Sequence, residues 1–245
     1  MVVVTLQGPR ILVIETSSRV GSVALATDGG VVSAERLPGR MRHAGELMPA
    51  VDSMLRQARW PANTLTDIYL SIGPGSFTGL RIAVTVARTL AWSIGTRIVA
   101  VPTVDGLSHN AFSAIPRPEH VAVLLDAKQA QVFAAAFSLR DGAYEKVIDA
   151  HMAPPAEFLA RCPRPLSVLG EGIPYHRQAI DDGGVTVMAE ELWWPRAEHV
   201  LAVGRTRAMQ GQFTPSGELL PLYIRRPEAE EKWERLQGPD REPSR

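Results

Sequence analysis

Two stretches in separate halves of the chain follow one plan, and that plan limits the fold. The first begins "ILVIETSS" (Ile11 to Ser18), a short apolar strand ending in an acid, Glu15. "GSVALATDGGVVSAERL" follows as two strands joined at Asp28-Gly29-Gly30, a hairpin signal. In the second half "VAVLLDA" is an apolar strand ending in Asp126, and "QVFAAAFSLRDGAYEKVIDAHM" gives two strands about Asp141-Gly142. Aligning Glu15 with Asp126 lays hairpin on hairpin. Strand, acid, hairpin and helix, twice over, predict an α/β chain built by internal duplication.

The helices between these blocks show a different period. "RHAGELMPAVDSMLRQAR" carries Ala44, Leu47, Met48, Val51, Met54, Leu55 and Ala58 on one face, with Pro49 as a bend or first-turn residue. After the strand "DIYLSIG" comes "GPGSFTGLRIAVTVARTLAW", a glycine turn opening into a long helix, then the strand "RIVAVP". In that helix Leu80, Ile82, Ala83, Val84, Val86, Ala87, Leu90, Ala91 and Ile94 fill an arc of roughly 200° at ~100° per residue, whereas covering one sheet needs only ~100° or somewhat more. Gly79, Ala83, Ala87 and Ala91 form a low ridge that admits a close second helix. Either a partner or the chain's own preceding helix (His43 to Arg59) covers the surplus. Later segments predict a short helix (Pro155 to Arg161), a strand (Leu166 to Leu169), a helix near Tyr175 to Ile180 and a last helix (Arg196 to Gln210).

The glycine turn lacks the lysine of a Walker loop, since Leu80 follows Gly79. It also lacks the spacing of a nucleophile elbow, because Pro74 stands where the upstream glycine would be. Helix-start chemistry remains. Ser76 or Thr78 can cap the first free N–H groups, and Gly73 and Gly75 supply backbone freedom. An anion at the exposed N–H groups is the competing reading.

No two of the six histidines (His43, His109, His120, His151, His176 and His199) lie within five residues, so no metal-ligand turn is expected. Glu15 and Asp126 could face each other and hold the magnesium of a nucleotide. Their following loops, with one glycine and none, favour strand-end capping or pairing with Arg19 and Lys128.

Lys+Arg and Asp+Glu each number 26. Grip on nucleic acid normally shows a basic excess, so weak RNA affinity is expected of the chain alone. The single cysteine, Cys162, fits a reducing cytoplasm. "MVVVTLQGPR" does not read as a signal peptide, and no run approaches the ~18 apolar residues of a membrane span.

"ILVIETSSRVGSVAL", "RHAGELMPAVDSML", "GPGSFTGLRIAVTVARTLAW", "VPTVDGLSHNAF", "LLDAKQAQVFAAAF" and "PLYIRRPEAEEK" together closely resemble the bacterial TsaB (formerly YeaZ) family, from Ile11 to about Glu230. The resemblance implies an actin-like ATPase fold with an N-terminal lobe (1–102) bearing partner-binding helices, a C-terminal lobe (103–227) and a charged tail (228–245). It implies a role in forming N6-threonylcarbamoyladenosine at position 37 of ANN-reading tRNAs. There TsaC makes the threonylcarbamoyl-adenylate, the metal-bearing paralogue TsaD transfers it, TsaE is an ATPase, and TsaB is a platform for TsaD. tRNA would be met only through the complex. The implied contact is a bundle of the first two helices of each chain, which assigns Leu47, Val51, Met54, Leu55, Gly79, Ala83, Ala87, Leu90 and Ala91 to the interface; for the chain alone, a homodimer through the same helices and a monomer are both open.

The paralogue's HxxxH ligands fall on the segment that here reads "TVDGLSHNAF", with His109 alone. No catalytic residue, metal or cofactor is therefore expected, and Glu15, Gly73, Gly75 and Asp126 are the weak nucleotide-site candidates. Glu15 stands where the family usually has Asp. A small actin-fold phosphotransferase and a peptidase of the old glycoprotease label are the alternative readings.

Overall fold

The computed structural model describes residues 8–37 and 43–223, with side chains of residues 43 and 44 left aside. The start of the chain and the charged tail (228–245) lie outside the described residues. The first sheet holds β1 (Ile11–Glu15), β2 (Ser22–Thr27), β3 (Gly30–Arg36), β4 (Asp67–Gly73) and β5 (Arg97–Pro102), in the order β3-β2-β1-β4-β5. β1 runs antiparallel to β2 and parallel to β4. The second sheet holds β6 (His120–Asp126), β7 (Val132–Arg140), β8 (Ala143–Ala153), β9 (Leu166–Leu169) and β10 (Thr186–Val187), in the order β10-β9-β6-β7-β8. Read from its other edge, this is the first order again, with β6 in the place of β1. Even the acids correspond: Glu15 pairs with Ser22 and Asp126 with Val132, each closing its ladder. The fold is α/β, with two mixed sheets of matching strand order and helices on both faces of each.

Period-two alternation splits β1 between two layers. Leu12 and Ile14 face α1 (His43–Ala58) and α2 (Phe77–Ile94), while Ile11 and Val13 face α6 (Ala197–Met209). The second sheet does the same. Val121, Val123 and Leu125 face α3 (Thr103–Ser108), and Ala122 and Leu124 face α4 (Pro155–Arg161) and α5 (Arg177–Asp182). α3 occupies the "TVDGLSHNAF" segment, and the expected helix near Tyr175 starts two residues later, at Arg177.

Pro49 sits inside α1 without ending it. α2 starts at a Ser76 cap, whose side chain accepts from the Gly79 N–H, and ends at Gly95 with φ 75°, the left-handed stop that glycine favours.

The division of the chain differs from the expected one. α6 packs on β1, β4 and β5 of the first sheet. Ala197, Val200 and Leu201 are buried against Tyr69, Val99 and Val101. Gly204 is what lets α6 come so close, since a β-carbon there would lie 2.5 Å from the Tyr69 ring. The chain then stays on the first lobe: Thr214 N–H donates to Ile98 O at 2.8 Å, and Leu222 N–H to Ile72 O at 2.6 Å. Residues 197–223, expected in the second lobe, complete the first.

Candidate functional site

The glycine turn is tight because another turn packs on it. A β-carbon on Gly75 would sit 2.1 Å from the Ser17 carbonyl, and that carbonyl accepts from the Ser76 N–H at 2.6 Å. Gly73 has φ 117° and lies against the Leu222 carbonyl, 2.6 Å from where its β-carbon would be. Thr16 adds a hydrogen bond from its hydroxyl to the Gly79 carbonyl. Both glycines therefore have packing reasons, and the Gly79 N–H is satisfied by the Ser76 cap.

Glu15 is fully buried behind this turn. Its Oε1 accepts from the N–H and hydroxyl of Ser17 at 2.6 and 2.5 Å, and the Ser71 hydroxyl donates to Oε2. Asp126 lies at the matching end of β6. The Lys128 N–H donates to it at 3.1 Å, the Lys128 ammonium stands 3.0 Å away, and His176 Nε2 lies at 3.3 Å. Burial works against its ionisation, but the Lys128 bonds and charge, with His176, hold the carboxyl below its usual range. The expected pairing with Lys128 is present. Arg19 instead reaches across the cleft and donates to the Tyr175 hydroxyl. The Lys128 ammonium lies 5.3 Å from the Tyr175 ring centre.

A third carboxyl in the cleft was missed in the sequence. Glu171 sits between Gly170 and Gly172, after β9. Both glycines press on β6: β-carbons there would lie 2.3 and 2.9 Å from the Leu124 carbonyl. Burial pushes the Glu171 carboxyl up to about 7, with Arg19 and Lys128 pulling it down and Glu15 and Asp126 pushing it up. The only signal was the "GEG" run following a strand.

The helix pair calls for a correction. Leu47, Val51, Met54, Leu55, Gly79, Ala83 and Ala87 are buried inside the first lobe, and Leu90 and Ala91 are partly buried against the same core. The wide arc of α2 is filled within the chain, by the sheet, by α1 and by a strap formed by residues 213–223. The strap runs from the C-terminal end of α2, where Thr214 meets Ile98, to its start, where Tyr223 packs on Phe77 with ring centres 5.0 Å apart. Leu219 seals the core on the way. What the pair turns outward is Met48, Asp52 and Arg56 from α1, and Arg81, Thr85, Arg88, Thr89 and Trp92 from α2. Trp92 is 87% exposed.

His109 and His199 come together with ring centres 6.5 Å apart. Burial lowers both, His199 to about 4, helped by the charges of His109 and Arg196. Buried Asn110 contacts His199 Nδ1 and donates to the Leu192 and Trp194 carbonyls at 2.7 and 2.8 Å. That set ties α6 to the second lobe. Among the described residues no group of three or more His, Cys, Asp and Glu side chains is placed to hold a metal ion. No helix among them is long and apolar enough to cross a membrane.

Known proteins were compared with this chain. A family model described as TsaD, tRNA N6-adenosine threonylcarbamoyltransferase, matches residues 23–233. The tRNA threonylcarbamoyladenosine biosynthesis protein TsaB of Bacillus subtilis (strain 168) is 31% identical over 233 residues, covering 91% of this chain and 97% of that protein. TsaB of Escherichia coli (strain K12) is 24% identical, over 94% of this chain and 99% of that protein. Among solved structures, YeaZ from Pseudomonas aeruginosa superposes with a TM-score of 0.74 at 25% identity, over 88% of this chain and 99% of that one. With near full-length agreement in sequence and in both sheets, the chain belongs to the TsaB (YeaZ) family.

Proposed function

We propose that the chain is a non-catalytic partner of TsaD in forming threonylcarbamoyladenosine on ANN-reading tRNA, in the cytoplasm. In this reading it docks TsaD through the outward face of α1 and α2. The observation that carries it is the solvent-facing strip of α2 with Trp92 at its end, an aromatic of the kind that anchors interfaces. The near full-length relation to a protein named for threonylcarbamoyladenosine biosynthesis supports the pathway. TsaE and tRNA join through the complex, which suits a chain of formal net charge +0.

The buried helix core changes which residues meet the partner: Met48, Arg81, Thr85, Arg88 and Trp92 replace the buried set. A magnesium-nucleotide phosphotransferase fits less well, because Glu15 and Asp126 already answer to Ser17, Ser71, Lys128 and His176.

The test is co-purification with TsaD from the same source, followed by titration of Trp92→Glu. A complex is expected, weakened at least about tenfold by the substitution, which is ~1.4 kcal/mol. Failure to form a complex, or threonylcarbamoyl transfer or peptide cleavage by the isolated chain, overturns the reading.

A further inference from the structure

The outward faces of α1 and α2 differ in how their charges are answered. On α1, Asp52 and Arg56 pair with each other across one turn. α2 has no acidic residue along its 18 positions. Its exposed Arg81, Thr85, Arg88 and Trp92 follow one another at spacings of four, three and four, a straight stripe along the helix. Among the described residues neither Arg81 nor Arg88 has a carboxylate partner. Arg81 is held in place all the same. Its guanidinium lies over the Phe77 ring, 4.4 Å from the centre, and that ring packs on Tyr223. Stacking of this kind uses the face of the guanidinium and leaves the N–H donors along its edge for a ligand.

We propose that this stripe receives an acidic helix of the partner, which seats two carboxylates seven residues apart on Arg81 and Arg88 and an apolar side chain on Trp92. The inference rests on the docking of TsaD at this face and adds what TsaD must present there.

Spacing selects the helix. At ~1.5 Å of rise per residue, Arg81 and Arg88 stand about 10 Å apart along the axis. An extended segment covers that distance in about three residues, which turns its two side chains to opposite faces. A helix laid along α2 covers it in about seven and keeps both side chains on one face, with a drift of only ~20°. Thr85, short and midway between the arginines, lets the two backbones approach. Chemistry selects the carboxylate, which a guanidinium takes through two parallel N–H bonds. Phosphate satisfies the same fork, but two arginines are few for RNA, whose grip grows with the number of phosphates neutralised. Unanswered like charges on an open face act at a distance. The arginine pair therefore speeds encounter, while Trp92, once covered, slows departure.

The test is the association rate of the full chain with TsaD from the same source, at low and high salt. At about 0.05 M salt, Arg81→Glu and Arg88→Glu should each slow association about tenfold. At about 0.5 M, where screening acts within a few ångströms, their difference from the parent should shrink to about twofold. Arg88→Lys keeps the charge and loses the fork, so it should associate as the parent does and dissociate a few-fold faster. Trp92→Ala should act chiefly on dissociation. Arg161→Glu on α4, exposed and equal in charge change, should associate at the parent rate. All of these side chains are exposed, so each variant should melt as the parent does. A complex whose association ignores salt and both reversals overturns this inference alone, whereas no complex at all overturns the docking reading with it. Slowing by Arg161→Glu equal to that by Arg88→Glu makes net charge the cause and overturns the stripe. So does a tRNA affinity of the chain that Arg88→Glu abolishes while association with TsaD stays unchanged.

Discussion

The two lobes share one strand order and differ in what covers it. In the first lobe the helices following the strands are long, 16 residues in α1 and 18 in α2. Their counterparts in the second lobe, α4 and α5, have 7 and 6 residues, enough to roof the sheet and little more. The loops after the matching acids also diverge. In the first lobe the Ser17 turn is packed under the Gly75 turn. In the second, Lys128, Gln129 and Ala130 all take positive φ, at 63°, 49° and 56°, without a glycine among them. Duplication therefore preserved the sheet, which is where the core is. It left helix length and turn chemistry free to specialise, and the surplus helix went to the lobe proposed to meet a partner.

The largest expected effect separates the inner from the outer face of α2. Ala87→Glu would force a charge into a fully buried position, at a cost of several kcal/mol. Thermal melting should show the chain losing its cooperative transition or dropping by well over ten degrees. Trp92→Glu, on the outer face, should melt as the parent does while losing its partner. A chain that tolerates Ala87→Glu would return the ridge to the interface.

Next comes a pair of buried groups with opposite pH behaviour. His199 is depressed in the fold from 6.5 to about 4, so the unfolded chain takes up the proton first and stability falls as pH drops through that window. Glu171 is raised from 4.5 to about 7, so the unfolded chain gives up its proton first and stability falls as pH rises through that window. Each is worth up to about 3 kcal/mol at 1.36 kcal/mol per pH unit. Where the windows overlap, between 4.5 and 6.5, the two slopes oppose one another. Denaturant melts of the parent should be nearly flat there. Glu171→Gln should unmask a stability that climbs with pH from about 4 to 6.5. A flat profile in that variant would remove His199 from the account.

The smallest effect tests the left-handed turn. A non-glycine residue there costs about 1 kcal/mol. Ala130→Gly should recover up to about that much, raising the melting temperature by a few degrees at most. The same substitution at Ala87, in a helix with no such strain, should destabilise by at least the ~1 kcal/mol that separates glycine from alanine.

Much of this was legible in the sequence because it is local. The strand-acid-hairpin units, the Asp-Gly turns and the start of α2 are each written in a dozen neighbouring residues. The cleft acids Glu15 and Asp126 were legible for the same reason, as strand-end residues of a repeat. What escaped depends on distant segments meeting. Periodicity showed that the arc of α2 was too wide for one sheet, but not that Leu219, far along the chain, would finish covering it. At Glu171 the "GEG" run marks a tight turn but not its charged surroundings, because Arg19, Glu15, Asp126 and Lys128 come from other turns. The return of α6 to the first sheet rests on Gly204 meeting Tyr69, a fit with no local signature.

The strap has a consequence for how the molecule is made. The first sheet is finished when β5 ends at Pro102, yet its roof needs Leu219 and its glycine turn is closed by Leu222. At roughly 5–20 residues per second of synthesis, this lobe waits on the order of ten seconds for its own lid. During that interval the sheet and α1 already cover most of the apolar arc of α2, and the part of the core that Leu219 seals stays open. The second lobe has no such wait, since β6 through β10 and their helices are contiguous. The half of the chain that is synthesised first is thus the half that can finish last.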